Sequence, residues 1–195
     1  MPLDAASIKA KARALGADLV GIADGKTMDK HPPDPRDPRT PSGITELDGD
    51  RVIIMAKRYT AGTTRIAKWD ERHKYYNDEI TLTMLEEASL EMVYWLEDHG
   101  YPAIIIPPTH VDPWKYDNDP SKHLSTLLSL NHAAVEAGLG TLGLNLQLLT
   151  PEYGPRVIVT AVMCSVNCEA DKPMETALCK GPQCGRCLSA CPGDV

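Results

Sequence analysis

Residues 131–156 read NHAAVEAGLGTLGLNLQLLTPEYGPR. Three glycines, Gly138, Gly140 and Gly143, stand in a G-x-G-x-x-G spacing, and a leucine run then leads into Pro-Glu-Tyr-Gly. A dinucleotide-binding glycine loop has this spacing, but it follows a strand and needs an acidic residue about 20 positions later to hold a ribose. Here the preceding segment, from about 121 to 137, has helical periodicity and stops at Gly138, and no Asp or Glu stands at the required distance. The triplet by itself leaves two readings open, a cofactor loop and glycines that let backbones approach closely.

Downstream, RVIVTAVMC (156–164) reads as a strand, and beyond it four of the six cysteines fall between positions 179 and 191 in CKGPQCGRCLSAC. Their pattern is Cys179-x4-Cys184-x2-Cys187-x3-Cys191-Pro192. Bacterial ferredoxins hold iron–sulfur clusters with C-x2-C-x2-C-x3-C-P, so the last intervals and the proline match, while Gly181 occupies the place of the first cysteine. Gly181 and Gly185 permit the turns that wrap thiolates around one corner of a cluster. Soft thiolates suit iron–sulfur or zinc. A zinc knuckle pairing Cys164-x3-Cys168 with Cys184-x2-Cys187 is the bland alternative, and it leaves Cys179 and Cys191 without a role. In two-cluster ferredoxins the fourth cysteine of such a run binds the other cluster. Either this run closes one four-thiolate cluster, or a second run is expected beyond Val195 and the chain is shortened.

Upstream, residues 4–15 read as a short amphipathic helix with Ile8, Ala12 and Leu15 on one face, and ADLVGIAD (17–24) as a buried strand. HPPDPRDPRTPSG (31–43) holds five prolines in thirteen residues and reads as an irregular loop. RVIIMAKRY (51–59) is a second strand. The longest helix is expected from about 77 to 99, with Ile80, Met84, Ala88, Met92 and Leu96 as its apolar stripe, widened by Leu85 and Trp95. PAIIIPP (102–108) is a short strand. Strand and helix patterns alternate, which predicts a layered α/β or α+β structure.

The chain has 195 residues, 43% hydrophobic and 24% charged, with no phenylalanine and a formal net charge of −7. That acidity argues against a nucleic-acid surface, which needs clustered Lys and Arg. The N-terminus shows no signal-peptide core and no twin-arginine pair, and no stretch is long and apolar enough for a membrane helix, so a cytoplasmic protein is expected. Thiols stay reduced there, and clustered cysteines then point to metal or redox chemistry.

Taken together, AGLGTLGLNLQLLTPEYGPRV, a strand and a Cys-Pro ferredoxin run resemble the cobalamin-dependent iron–sulfur reductases, the superfamily of the reductive dehalogenases and epoxyqueuosine reductases. The matching positions are Ala137 to Gly140, Gly143, Leu148 to Gly154 and Arg156; LGADLVGIAD and LEDHGYPA look like the family's opening and middle. The resemblance implies a nitroreductase-like core over residues 1–165, holding cobalamin base-off, and a ferredoxin-like [4Fe–4S] segment over 166–195. It implies reductive chemistry on a small molecule, with electrons from a donor such as ferredoxin or flavodoxin. Cys179, Cys184, Cys187 and Cys191 are the expected cluster ligands, and His132, Gly138, Gly140, Gly143 and Arg156 the expected cofactor contacts. Tyr75 and Tyr76 are the expected proton donors, ahead of Tyr59, Tyr116, His73 and His132; each is also an ordinary residue for a core edge.

Two departures bear on substrate and ligands. Where the epoxyqueuosine reductases carry a catalytic aspartate, thirteen residues before Ala137, this chain has Leu124, so epoxyqueuosine is a poor expectation. The segment after the last strand is MCSVNC, which places Cys164 and Cys168 there as extra ligands or as small buried hydrophobes. An electron-transfer or accessory protein without cobalamin, and a zinc-stabilised binding module, are the competing readings.

Overall fold

The computed structural model describes residues 3–66, 72, 75–108 and 127–191. Its centre is an antiparallel pair of strands, β2 (Arg51–Arg58) and β6 (Val157–Cys164), in register from Arg51 opposite Cys164 to Arg58 opposite Val157. Outer strands β1 (Leu19–Asp24) and β3 (Ala103–Ile106) complete a four-stranded sheet in the order β1-β2-β6-β3, every pairing antiparallel. A second hairpin joins β4 (Thr141–Leu142) to β5 (Leu148–Leu149).

Both faces of the sheet are covered, so its central strands read as continuous apolar runs. Ile53 and Met55 of β2 and Val162 and Cys164 of β6 face one side, against helix α1 (Ala5–Ala14) and the long helix α3 (Ile80–Asp98). Val52, Ile54 and Ala56, with Ala161 and Met163, face the other side, against helix α4 (Leu130–Glu136) and Leu148 of β5. The expected layered fold is present as α+β: helix and strand alternate along the chain, yet the sheet is antiparallel. None of the described helices is long and apolar enough to cross a membrane.

Helix α1 begins at a capping box, in which the Asp4 carboxylate accepts from the Ser7 amide at 2.7 Å and Ser7 Oγ accepts from the Asp4 amide. A short helix α2 (Gly25–Lys30) was not expected; Asp24 caps it by accepting from the Thr27 amide at 2.8 Å. The proline-rich loop is irregular as read, apart from a 3₁₀ turn at Pro41–Gly43.

Two helix expectations need correction. Ile80 and Met84 are 40% and 50% exposed, and the buried face of α3 is Leu85, Ala88, Ser89, Met92, Val93 and Leu96. Successive fourth residues drift by about 40° around a helix, so the line from Ile80 to Leu96 winds through about 160° and cannot all meet the sheet. Within the helix expected over 121–137, the described residues 127–129 are not helical and the helix starts at Leu130. Residues 121–126 lie outside those described. Ser129 has non-helical dihedrals (φ −74, ψ 86), and its amide donates to the Arg39 carbonyl at 2.9 Å, which sets where the helix starts.

One buried polar chain crosses the α3–sheet interface. Thr160 Oγ1 donates to the Ile106 carbonyl at 2.9 Å, while Ser89 Oγ lies 3.2 Å from Thr160 Oγ1 and 2.9 Å from the Leu85 carbonyl. Thr160 and Ser89 are fully buried. Thr160→Val keeps the shape and strands the Ile106 carbonyl; it is expected to cost about 1–3 kcal/mol in urea unfolding, with the two-state slope unchanged.

Candidate functional site

The β4–β5 hairpin is built by close backbone approach. A Cβ on Gly140 would lie 2.0 Å from the Leu149 carbonyl oxygen, and one on Gly138, whose φ is +72°, 2.5 Å from the Lys172 carbonyl oxygen. The space beside these two glycines is filled by protein backbone, which is the packing role left open by the sequence. Gly143 differs: its amide donates to the Gln147 carbonyl at 2.8 Å, and it lines a cavity of about 860 Å³.

The opposite wall of that cavity is the cysteine run, with Cys179, Cys184 and Cys187. The Leu178 amide donates to Thr141 Oγ1 at 3.0 Å and pins the start of the run to β4. Gly181 and Gly185 both adopt left-handed backbone (φ +66° and +56°), as the turns between cysteines require. They bracket a 3₁₀ turn at Gly181–Gln183 and start one helical turn at Arg186–Ser189. The Gly181 amide donates to Cys179 Sγ at 3.3 Å. Cys184 is exposed, and Cys179, Cys187 and Cys191 are half-buried. Cys191 is not on the cavity wall, and Pro192 lies outside the described residues. Among the described residues, no three Cys, His, Asp or Glu side chains are gathered closely enough to hold a metal ion.

The remaining candidates are dispersed. Arg156 Nη1 donates to the Tyr59 carbonyl at 2.9 Å and the Tyr59 amide donates back to the Arg156 carbonyl at 2.9 Å, so this arginine closes the β2–β6 ladder. His132 is half-buried on α4, and its Nε2 is buried without a hydrogen-bond partner in the described structure. Tyr76 is 66% exposed at a π-helical turn, Tyr75–Glu79, that precedes α3, and it is not on the cavity wall. The Tyr59 phenol is held above its ordinary pKa by burial and, less, by Asp78 and Glu79. His73, Tyr116 and Leu124 lie outside the described residues.

Cys164 and Cys168 belong to the core, packed with Val162 and Val166 on the α1–α3 side. Burial pushes the Cys164 thiol up to about 11 and raises Cys168 as well. The cavity also has members that the sequence reading passed over. Lys180 and Arg186 line it, with Leu144 and Leu178. Both cations are interleaved with the cysteines, and that position was the available signal.

The raised Cys164 pKa has a defined linkage sign. The folded state holds this proton more tightly than the unfolded thiol near 9, so the contribution is whole below pH 9 and is lost as pH rises towards about 11. Unfolding followed across pH 8–11 should therefore show stability falling, with a shallower fall in Cys164→Ala.

No family model matches the chain. An epoxyqueuosine reductase of Gloeobacter violaceus is 29% identical over 214 residues, a match covering 96% of this chain and 59% of that protein. Among solved structures, the epoxyqueuosine reductase of Streptococcus thermophilus superposes with a TM-score of 0.64 at 16% identity, over 97% of this chain and 52% of its own. A catabolic reductive dehalogenase superposes at 0.65 and 20% identity, over 96% of this chain and 25% of its own. An epoxyqueuosine reductase solved with a tRNA stem loop superposes at 0.58 and 20% identity, over 96% and 51%. That neighbour bears on the expectation of no nucleic acid: a formal charge of −7 belongs to the whole chain and does not describe any one face. The chain spans little more than half the length of the curated relative it matches. Over nearly its whole length the chain is similar in sequence to an epoxyqueuosine reductase, and its fold is like that of the epoxyqueuosine reductases and the reductive dehalogenases.

Proposed function

We propose that this protein is an iron–sulfur oxidoreductase in which Cys179, Cys184, Cys187 and Cys191 hold one [4Fe–4S] cluster, and that it serves cobalamin-dependent reductive chemistry on a small molecule. The observation that carries the reading is the shared wall: three of the four thiols face one cavity beside the glycine hairpin, on turns made by left-handed glycines. The donor set fits the group. Four soft thiols within thirteen residues suit iron and sulfide, and the Gly181 amide already points at a cysteine sulfur, as backbone amides do toward thiolate ligands.

Cobalamin enters by similarity to the superfamily, in which cobalt carries out the reduction once electrons reach it. Within this chain, residues have narrower tasks. The hairpin and Thr141 fix the cysteine run against the core; Arg156 holds the neighbouring strand end; Tyr59 keeps its proton well into the alkaline range. Tyr75 and Tyr76 remain the proposed acids by resemblance. The electron donor is a carrier such as ferredoxin or flavodoxin, and the compartment is the cytoplasm, where the thiols stay reduced. Leu124 speaks against epoxyqueuosine as the substrate.

Anaerobic purification followed by iron, sulfide and zinc analysis tests the reading. About four iron and four sulfide per chain are expected, together with a base-off spectral change on adding cobalamin. Iron and sulfide without corrin binding would move the protein to electron transfer alone. Stoichiometric zinc without sulfide would remove both redox readings. Cys184→Ser and Cys187→Ser are expected to lose most of the iron, whereas Cys164→Ala and Cys168→Ala retain it, because those thiols are spent on core packing.

A further inference from the structure

Helices α1 and α3 cover the same face of the sheet side by side, so their sides turned away from the shared core form one outer layer. The two helices carry opposite charge. Helix α3 has Glu86, Glu87, Glu91, Glu97 and Asp98 and no lysine or arginine. Helix α1 has Lys9, Lys11 and Arg13 and no carboxylate. Lys9 is taken by Asp171, but Lys11, Arg13 and the α3 carboxylates make no ion pair among the described residues. Glu97 and Asp98 stand in the last turn of α3, where the helix dipole disfavours negative charge, and no basic residue of that turn offsets them. The outer side of α3 is also partly apolar. Met84, Leu90 and Tyr94 are 50%, 40% and 52% exposed. Met84, Glu87, Leu90, Glu91 and Tyr94 follow one another at three- and four-residue steps, which puts them on one face of the helix. It is the face opposite Leu85, Met92 and Leu96, which are buried against the sheet.

We propose that this outer layer is the contact surface for a second copy of the chain, in a two-fold dimer that lays α1 of each copy on α3 of the other. The charges select both the occupant and its orientation. Helix α3 on α3 would set glutamates against glutamates, and α1 on α1 would set lysine against arginine. Helix α1 on α3 brings Lys11 and Arg13 to the unpaired carboxylates and covers Met84, Leu90 and Tyr94. Because both helices lie in one layer, a two-fold axis running between them in the plane of contact makes both such contacts at once and closes the assembly. Each chain carries a net charge of −7, so the copies repel at a distance, and only the arrangement that matches opposite signs at the contact overcomes this. Helices of ten and nineteen residues make a small interface, at or below about 1,200 Å² in total, so the dimer is a reversible one whose population follows concentration. The inference stands apart from the iron–sulfur reading, since it uses no cysteine and no cofactor.

A charge swap tests it. Sedimentation velocity on the full-length chain, kept with a reductant so that exposed cysteines form no disulfide, is expected to show monomer giving way to dimer between ~1 and ~300 µM. Lys11→Glu with Arg13→Glu, and separately Glu87→Lys with Glu91→Lys, set like charges in both contacts, and each pair is expected to raise the dissociation constant about tenfold or more. Mixed in equal amounts, the two variants are expected to dimerise as the unaltered chain does, because each altered helix then meets the opposite sign on the other copy. Leu90→Ser with Tyr94→Ser should weaken the dimer as well. These side chains are exposed, Lys11 in part, so the helical circular dichroism is expected to stay unchanged. The milder Arg13→Gln and Glu91→Gln, which remove charge without reversing it, read the same surface with a smaller shift. A chain that stays monomeric to ~300 µM, a dimer indifferent to both reversals, or two folded variants that remain apart when mixed overturns the inference.

Discussion

The rest of this structure depends on the pairing of β2 with β6. Eight residues of each strand are matched, and the side chains of both are buried on the two faces of the sheet. A pair buried on both faces has no register freedom, because a slip of one residue would exchange the set facing α3 with the set facing α4. From that register follow the outer strands, the helix layers and the site. Residue 164 ends β6 at the edge where Arg51 begins β2, and Arg51 then holds the next turn of chain by donating from Nε to the Cys168 carbonyl at 2.8 Å while pairing with Asp24 at 2.8 Å.

Beyond β6 the chain is still bound to the core before it reaches the cysteine run. The Asp171 amide donates to the Ile22 carbonyl at 2.7 Å, its carboxylate accepts from the Ile22 amide at 2.8 Å, and Lys9 pairs with the same carboxylate. This satisfies part of the free edge of β1, which an open strand would otherwise offer to another chain. It also puts the Lys172 carbonyl where it fills the space beside Gly138. The chain just beyond residue 165 is therefore held to the core. The cysteine run starts from a fixed point, and the Leu178–Thr141 bond fixes it again at the cavity.

The buried thiols and the cavity thiols show how place decides chemistry in residues of one type. Cys164 and Cys168 sit among valines, where desolvation penalises the thiolate and keeps them protonated and inert. Cys179, Cys184 and Cys187 line an opening together with Lys180 and Arg186. The overall acidity of the chain said nothing about this opening, because net charge sums over faces that a partner meets one at a time.

What the sequence by itself determined was set by local rules. The strands at 19–24, 51–58 and 157–164 follow from short apolar runs, the first helix from Asp4 and its apolar spacing, and the turns of the cysteine run from Gly181 and Gly185. Tertiary structure decided the rest. An antiparallel sheet, the face of α3 that is buried, and the start of α4 at Leu130 all depend on which element lies opposite, which periodicity along one chain does not encode. The same holds for the site: only the packing of the hairpin on the run distinguishes Gly140, whose side-chain space is filled by the Leu149 carbonyl, from Gly143, which lines the cavity, and gathers Leu144, Leu178, Lys180 and Arg186 from two segments onto one wall.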